Sequence, residues 1–163
     1  MEALEALRSR RSVRRYEDRP VEKALLETVV DCGRLAATAR NEQPWEFIVV
    51  TEEKTRQAIA GYTSYGKFIA QSPVCIAVFC KPADYYLEDG AAATQNILVA
   101  AHALGLATCW VAGARKPYAD DIRVLLGVPE GYKLISLVAL GYSEDSPSPT
   151  KRPLEDVLHW DHY

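Results

Sequence analysis

The chain has 163 residues and a mass of 18.1 kDa, with 48% hydrophobic and 25% charged residues. This composition is that of an ordinary globular protein and excludes a disordered or fibrous chain, so we expect a single domain over residues 1–163. The net charge of -3 argues against a protein that binds nucleic acid or membrane surfaces through bulk charge.

The longest apolar stretch, Ile97–Ala112, is interrupted by His102 and Gly105 and is shorter than the roughly 20 residues that cross a bilayer. Met1–Arg11 lacks the apolar core and cleavage site of a secretory signal, so we expect a cytoplasmic protein without a membrane segment. The cysteines have no C-x-x-C spacing and are expected to be reduced and mostly buried, although Cys109 has a thiolate nucleophile as its alternative interpretation.

Apolar periodicity and breaker residues predict nine elements. In chain order they are helices over 2–9 and 21–36, a strand over 45–51, a helix over 52–60, a strand over 73–80, a helix over 87–104, a strand over 107–111, a helix over 118–126 and a strand over 134–142. The run 73–80 is almost continuously apolar, which predicts a strand covered on both faces. Because two helices precede the first strand, we expect an α+β fold with a central mixed sheet.

The carboxy-terminal tail combines a polar Ser-Pro stretch, residues 146–149, with apolar residues between Leu154 and Trp160. Those apolar side chains lose contact with water only if another surface covers them. A terminal arm that lies across a neighbouring subunit would bury them.

Several common catalytic motifs are absent. No two glycines have the spacing of a dinucleotide fingerprint, and Gly61–Lys67 has phosphate-loop spacing but is followed by Phe68 where Ser or Thr must hold magnesium. G-x-S-x-G is missing, and His102 lies inside a predicted helix as a packing residue. His159 and His162 are interpreted as a surface tail, because no third ligand cluster accompanies them, and no metal is expected.

Basic residues are concentrated near the amino terminus. Arg10, Arg11 and Arg14 flank Ser12 within five residues. A solvated basic face is one interpretation. The other is a phosphate site, because phosphate accepts bidentate bonds from arginine and a further bond from a hydroxyl.

Five separated segments form one ordered pattern that covers nearly the whole chain. They are Arg10-Arg11-Ser12-Val13-Arg14, Asn41–Phe47, Asp89–Asn96 with Gly105-Leu106, Trp110–Gly113, and Leu140–Tyr142 with Lys151-Arg152-Pro153. This ordered set resembles the FMN-dependent nitroreductase family. The resemblance implies a nitroreductase-like central mixed β-sheet flanked by helices, in an intertwined homodimer with FMN at the subunit interface. The alanine-rich helix 87–104 would then be a dimer seam.

The resemblance also implies roles for individual residues. Arg10, Arg11 and Ser12 would hold the FMN phosphate and ribityl chain, and Arg14 and Lys67 would approach the pyrimidine edge of the flavin. A fixed cation at that edge stabilises reduced flavin, so no side-chain acid, base or nucleophile is needed.

Further implied contacts come from three other parts of the chain. The partner subunit would supply Thr38, Ala39 and Asn41, although Ala37-Thr38 stands where the family often has Pro-Ser. The remaining implied contacts are Arg152 with Lys151 at the phosphate, and Val111, Ala112 and Gly113 along the flavin ring.

The implied activity is that of an NAD(P)H-dependent FMN oxidoreductase. Hydride would pass through flavin N5 to nitroaromatic, quinone or similar acceptors by a ping-pong mechanism. The short chain predicts an open site, bordered by tyrosines that surface or interface packing explains equally well: Tyr62, Tyr65, Tyr85 and Tyr86. Two alternatives remain: family chemistry such as reductive dehalogenation or flavin fragmentation, and a non-catalytic flavin-binding or anion-binding module.

Overall fold

A computed structural model describes all residues, 1–163. Its helices and strands are, in chain order, α1 (Ala3–Ser9), α2 (Lys23–Arg34), β1 (Trp45–Val50), α3 (Glu53–Tyr62), β2 (Val74–Cys80), α4 (Tyr86–Ala103), β3 (Ala107–Ala112), α5 (Ala119–Leu125) and β4 (Lys133–Gly141). Every predicted element is present with small shifts at its ends. The shifts are small because Gly and Pro mark most boundaries in the sequence.

The four strands form one sheet in the order β1-β2-β4-β3, and every neighbouring pair is antiparallel. Each residue of β2 is buried, as its continuous apolar run predicts. β4 is buried over Leu134–Gly141. The two central strands therefore carry the core, while β1 and β3 lie at the edges.

Helices cover both faces of the sheet. On one face, α2 and α4 pack over a cluster that includes Ile76, Ile97 and Val138. On the other face, α3 and α5 cover a cluster that includes Ile59, Phe79 and Ile122. This layered arrangement confirms the predicted α+β class.

The predicted mixture of parallel and antiparallel pairing is found at one position of the sheet. Ser12 forms an isolated parallel bridge with Thr108 on β3, while the four strands themselves pair antiparallel. The bridge is short because the chain turns from Ser12 towards Tyr142, whose carbonyl accepts the Glu17 N–H at 2.9 Å. The amino-terminal segment thus lies along the outer edge of β3.

No helix is long and apolar enough to cross a membrane. All four cysteines are free thiols; Cys75, Cys80 and Cys109 are buried and Cys32 is partly exposed. This confirms the expectation that the cysteines are reduced and mostly buried.

Candidate functional site

The segment Arg10–Arg14, here called the arginine segment, lies along the free edge of β3. The N–H of Val13 donates to the carbonyl of Thr108 at 2.9 Å. Alternate side chains of an extended segment point to opposite sides. Arg14 lines a cavity over the carboxyl half of β3, whereas Arg11 and Val13 line a smaller cavity beside His102. The segment therefore separates two cavities.

The larger cavity has a volume of about 540 Å³. One wall is β3, from Cys109 to Ala112, and most of the lining is apolar or aromatic. The guanidinium carbon of Arg14 lies 6.0 Å from the centre of the Phe68 ring. The other lining residues are Ser64, Tyr65, Lys116, Pro117 and Tyr118. An apolar slot beside a cation suits a flat aromatic ligand with an anionic edge.

The cations near this cavity have no carboxylate partners. Neither Arg10 nor Arg14 forms an ion pair, while neighbouring Arg15 pairs with Asp145 at 2.8 Å. Arg10 is partly buried and Arg14 is exposed. Uncompensated guanidinium groups beside a cavity attract an anionic group such as phosphate.

Close packing at the carboxyl end of β3 shapes the cavity floor. A Cβ on Gly113 would lie 2.5 Å from Leu134 Cγ, so any residue larger than glycine fits here only if neighbouring atoms move. The N–H of Gly113 donates to Ile135 at 3.0 Å. Tyr118 closes the far side, because its hydroxyl donates to the carbonyl of Ala112. The implied positions Val111, Ala112 and Gly113 thus form a rigid strand end at the cavity.

Arg11 does not face the larger cavity. Its Nη1 donates to the carbonyls of Arg8 and Arg10 at 2.8 and 2.9 Å, and its Nε is buried without a partner. These carbonyls lie at the end of α1, where the last carbonyls lack intrahelical donors. In this chain Arg11 closes the carboxyl end of α1, and Arg10, Ser12 and Arg14 are left to approach a ligand.

Lys67 also binds backbone groups. Its ammonium donates to the carbonyls of Ala60 and Gly61 at 3.0 and 2.9 Å, which caps the end of α3. The preceding Gly66 packs against β3, because a Cβ there would lie 3.0 Å from Val111 Cγ1. Lys67 therefore lies near the implied flavin strand, although it does not line the cavity.

The implied partner-subunit residues Thr38, Ala39 and Asn41 occupy a separate loop. None of them lines the larger cavity. The loop is bound to α4, since Thr38 Oγ1 and the N–H of Ala39 donate to the two carboxylate oxygens of Asp89 at 2.8 and 3.1 Å. Within one chain this loop and the arginine segment form two separate surfaces.

Lys151 and Arg152 lie in the exposed tail. Arg152 Nη2 donates to the carbonyl of Asp156 at 2.6 Å, and no hydrogen bond or ion pair joins the tail to Arg10 or Ser12. The tail side chains from Ser146 to Tyr163 are exposed. The start of the tail lies near the arginine segment, since Ser146 and Pro147 line the smaller cavity with Arg11 and Val13.

Two titratable groups border the arginine segment. Burial raises the pKa of the Cys109 thiol, and the nearby Arg14, Ser12 and Arg10 oppose the rise. The thiolate is therefore disfavoured at neutral pH, and Cys109 is a small buried residue of the cavity wall. Burial lowers the pKa of His102, and the charges of Arg10 and Arg11 lower it further.

Sequence reasoning missed several cavity residues. Tyr118 and Lys116 lie beyond the recognised Trp110–Gly113 segment, and only their place after the end of β3 brings them to the cavity. Of the four tyrosines named from the sequence, Tyr65 lines the cavity. Asp89 lies within a recognised segment, but its contact with Thr38 spans 51 positions of sequence and has no local signal.

Comparison with known proteins decides the family. The protein-family model described as "Nitroreductase family" matches residues 7–72 and 62–142 of the sequence. The chain belongs to the nitroreductase family.

Individual members of the nitroreductase family agree in sequence and fold. A Methanothermobacter thermautotrophicus protein with the provisional name NADH dehydrogenase/NAD(P)H nitroreductase is 35% identical over 98% of this chain and 86% of its own length. A Bacteroides thetaiotaomicron structure with the same provisional name has a TM-score of 0.93, with 29% identity over 99% of this chain and 98% of that one.

A provisionally named nitroreductase from Desulfovibrio desulfuricans was solved in complex with FMN. It has a TM-score of 0.89 and 29% identity, over 100% of this chain and 98% of that one. These likenesses confirm the family and the α+β fold class that the sequence predicts.

Proposed function

We propose that this chain is a single-domain, FMN-dependent oxidoreductase that takes electrons from NAD(P)H. The names of the relatives and the FMN complex confirm the expected enzyme class and cofactor. The observation that carries the proposal for this chain is the cavity along β3, because it places an unpaired Arg14 beside an apolar slot.

The residues present fit FMN. Arg10 and Ser12 share one side of an extended segment with Arg14, and neither arginine has a carboxylate partner that a phosphate would have to displace. Phosphate suits guanidinium and hydroxyl donors. The apolar wall formed by Cys109–Ala112 suits an aromatic ring system, and the volume of about 540 Å³ is that of a small-molecule site.

When bound, FMN would supply the two-electron chemistry that links NAD(P)H to a nitroaromatic, quinone or similar acceptor. Arg14 would hold positive charge at the pyrimidine edge and so would favour the reduced, anionic cofactor. Val111, Ala112 and Gly113 would provide a rigid backbone along the ring. No side chain is required to act as an acid, base or nucleophile.

The exposed mouth of the cavity supports sequential use by two substrates. Tyr65 is 90% exposed at the cavity, and no segment of this chain covers it. Donor and acceptor would stack in turn on the same cofactor face, which is a ping-pong mechanism. Reductive dehalogenation and flavin fragmentation need elements that cover the substrate, so the open mouth favours the nitroreductase-type reaction.

A homodimer is part of the proposal. The tail exposes Leu154, Val157 and Trp160, and a groove of about 580 Å³ lies between α2 and the edge strand β1. The groove is lined in part by Val21, Leu26, Val30 and Val49. The partner's tail would cover the groove. In the dimer, Lys151 and Arg152 would complete the phosphate site. The reduced cysteines agree with a cytoplasmic location.

Steady-state kinetics of the FMN-loaded protein tests this proposal. Initial rates with NADPH and a quinone, varied together, should give parallel double-reciprocal lines, as a ping-pong enzyme does. Intersecting lines would exclude the shared-slot mechanism. A protein that binds FMN but shows no turnover with NADH or NADPH would instead support the non-catalytic flavin-binding module.

A further inference from the structure

Asp89 on α4 is a buried carboxylate that binds a loop and not a cation. It is 4% exposed and forms no ion pair. Its Oδ2 accepts the Thr38 hydroxyl at 2.8 Å and its Oδ1 accepts the Ala39 N–H at 3.1 Å. A buried carboxylate is tolerated only where donors satisfy its oxygens. Here both donors come from one loop.

The loop needs such an anchor because its backbone is strained. Arg40, Asn41 and Gln43 have φ values of 53°, 57° and 47°, in the left-handed region, which asparagine tolerates but arginine and glutamine disfavour. Such conformations persist only when surrounding contacts hold them. Thr38 provides one, since its hydroxyl donates to Asp89 and accepts the Gln43 N–H at 3.1 Å.

The hydrogen-bond network that starts at Asp89 ends at Asn41, where it fixes the orientation of the side-chain amide. Gln43 Nε2 donates to Asn41 Oδ1 at 3.1 Å and to the Asn41 carbonyl at 3.3 Å. With one lone pair of Oδ1 taken by Gln43, the amide presents its two N–H donors and the second lone pair of Oδ1. Asn41 is exposed, so those donors are offered to a ligand that carries acceptor atoms.

We infer that Asp89 is a positioning residue for the cofactor: through Thr38 and Gln43 it fixes Asn41 so that the Nδ2 donors meet acceptor atoms of the FMN bound by the partner subunit. The inference rests on the proposed function and adds to it a residue that touches neither cofactor nor substrate. It also gives the left-handed backbone of Arg40, Asn41 and Gln43 a role, which is to hold the Asn41 amide in one orientation.

The test is the FMN affinity of Asp89→Asn. The amide has the size of the carboxylate but replaces one acceptor oxygen with a donor, so the Thr38 hydroxyl and the Ala39 N–H can no longer each donate to an oxygen of its own. The dissociation constant for FMN, measured by quenching of flavin fluorescence, should rise about tenfold, as expected for one lost hydrogen bond to a charged group. Thr38→Val should weaken FMN binding similarly, and Thr38→Ser, which retains the hydroxyl, should bind FMN as tightly as the wild type.

Thr94→Val is the matched control. Thr94 is buried on the same helix, and its hydroxyl bonds to Ser136 at 2.8 Å without touching the loop. It should lower Tm and leave FMN affinity unchanged. If Asp89→Asn lowers Tm as the control does and leaves FMN affinity unchanged, Asp89 is only structural and the inference is overturned.

Hydrogen exchange separates this inference from the proposed function. The amides of Ala39 and Gln43 are both bonded within the network, so Asp89→Asn in the FMN-free protein should speed their exchange while Thr94→Val does not. If the wild-type protein binds no FMN, the proposed function fails. The exchange rates still decide whether the loop is held by Asp89, and unchanged rates contradict it.

Discussion

The guanidinium of Arg14 lies 6.0 Å from the ring centre of Phe68, at one side of the cavity along β3. Phe68 lies within the short turn Lys67–Ala70 and is half-buried against the core, so its contact with Arg14 limits the directions that the arginine can take. A cation held in this way can act on the electronics of a bound ring. A freely moving one would mainly raise the local concentration of anions.

Removal of Arg14 should therefore affect chemistry more than binding. In Arg14→Ala, the rate of flavin reduction by NADPH should fall about tenfold or more, since a charge-assisted contact contributes about 1.5–3 kcal/mol. FMN affinity should fall less, because Arg10 remains. Stopped-flow absorbance gives the rate, and Arg14→Lys, which retains the charge, should recover most of it. Equal reduction rates in Arg14→Ala and wild type would refute the electronic role.

Arg10 and Arg152 are expected to hold the FMN phosphate together. The double variant Arg10→Ala/Arg152→Ala should bind FMN at least about 100-fold more weakly, because two charge-assisted contacts are lost. The fold and oligomeric state should persist. The ratio of flavin to protein absorbance after purification measures the loss. Arg15→Ala, which removes an exposed ion pair with Asp145, is the matched arginine control and should retain flavin. Wild-type occupancy in the double variant would show that the phosphate assignment is wrong.

Gly113 should be intolerant of a side chain even in the absence of cofactor. Gly113→Ala places a Cβ 2.5 Å from Leu134 Cγ and 3.0 Å from the carbonyl carbon of Ile135. Overpacking of this kind costs about 1–3 kcal/mol in the free energy of unfolding. Urea denaturation of the FMN-free protein measures it.

Gly61→Ala is the control for this substitution, because no atom lies within 4 Å of the added Cβ in α3. Helix propensity predicts that it stabilises by roughly 0.5–1 kcal/mol. Equal stability of Gly113→Ala and wild type would mean that the strand end is looser than the structure indicates.

His102 should make the protein less stable in mild acid. Its pKa is lowered from 6.5 by burial and by Arg10 and Arg11, so below that value the unfolded chain binds more protons than the folded one. Stability should thus be complete above about pH 6.5 and fall as the pH falls further. His102→Gln retains a polar side chain that can reach the Ser9 hydroxyl, now 2.8 Å from Nε2, and does not titrate. Thermal unfolding from pH 7.5 to 5 should show a smaller loss of Tm in the variant, and parallel losses would contradict the assignment.

The tail should carry much of the dimer contact. Leu154→Ala/Trp160→Ala removes two side chains that are 67% and 80% exposed in one chain and that the partner groove would bury. Light scattering should show a shift from dimer to monomer at micromolar concentration. His162→Ala is a tail control that should stay dimeric. A wild-type monomer would remove the shared-site part of the proposal.

The sequence predicted the elements well because their signals are local. The apolar run over 73–80 requires burial on both faces, and the glycines at 105 and 127 end helices with positive φ. The contacts of the site residues with the cofactor remain predictions. Arg11 and Lys67 carry the charge that a phosphate or flavin needs, and in this structure each donates to helix-end carbonyls. Which of two acceptors a cation binds depends on tertiary distance, and a residue pattern does not encode that distance.

An anaerobic visible spectrum shows whether this chain binds FMN and passes electrons through it. The protein is loaded with FMN, treated with NADPH or NADH, and then given a quinone or a nitroaromatic. Loss of the yellow absorbance on addition of the nucleotide, followed by its return with the acceptor, is the predicted result. A protein that takes up no FMN, or whose bound FMN neither nucleotide bleaches, would contradict the account.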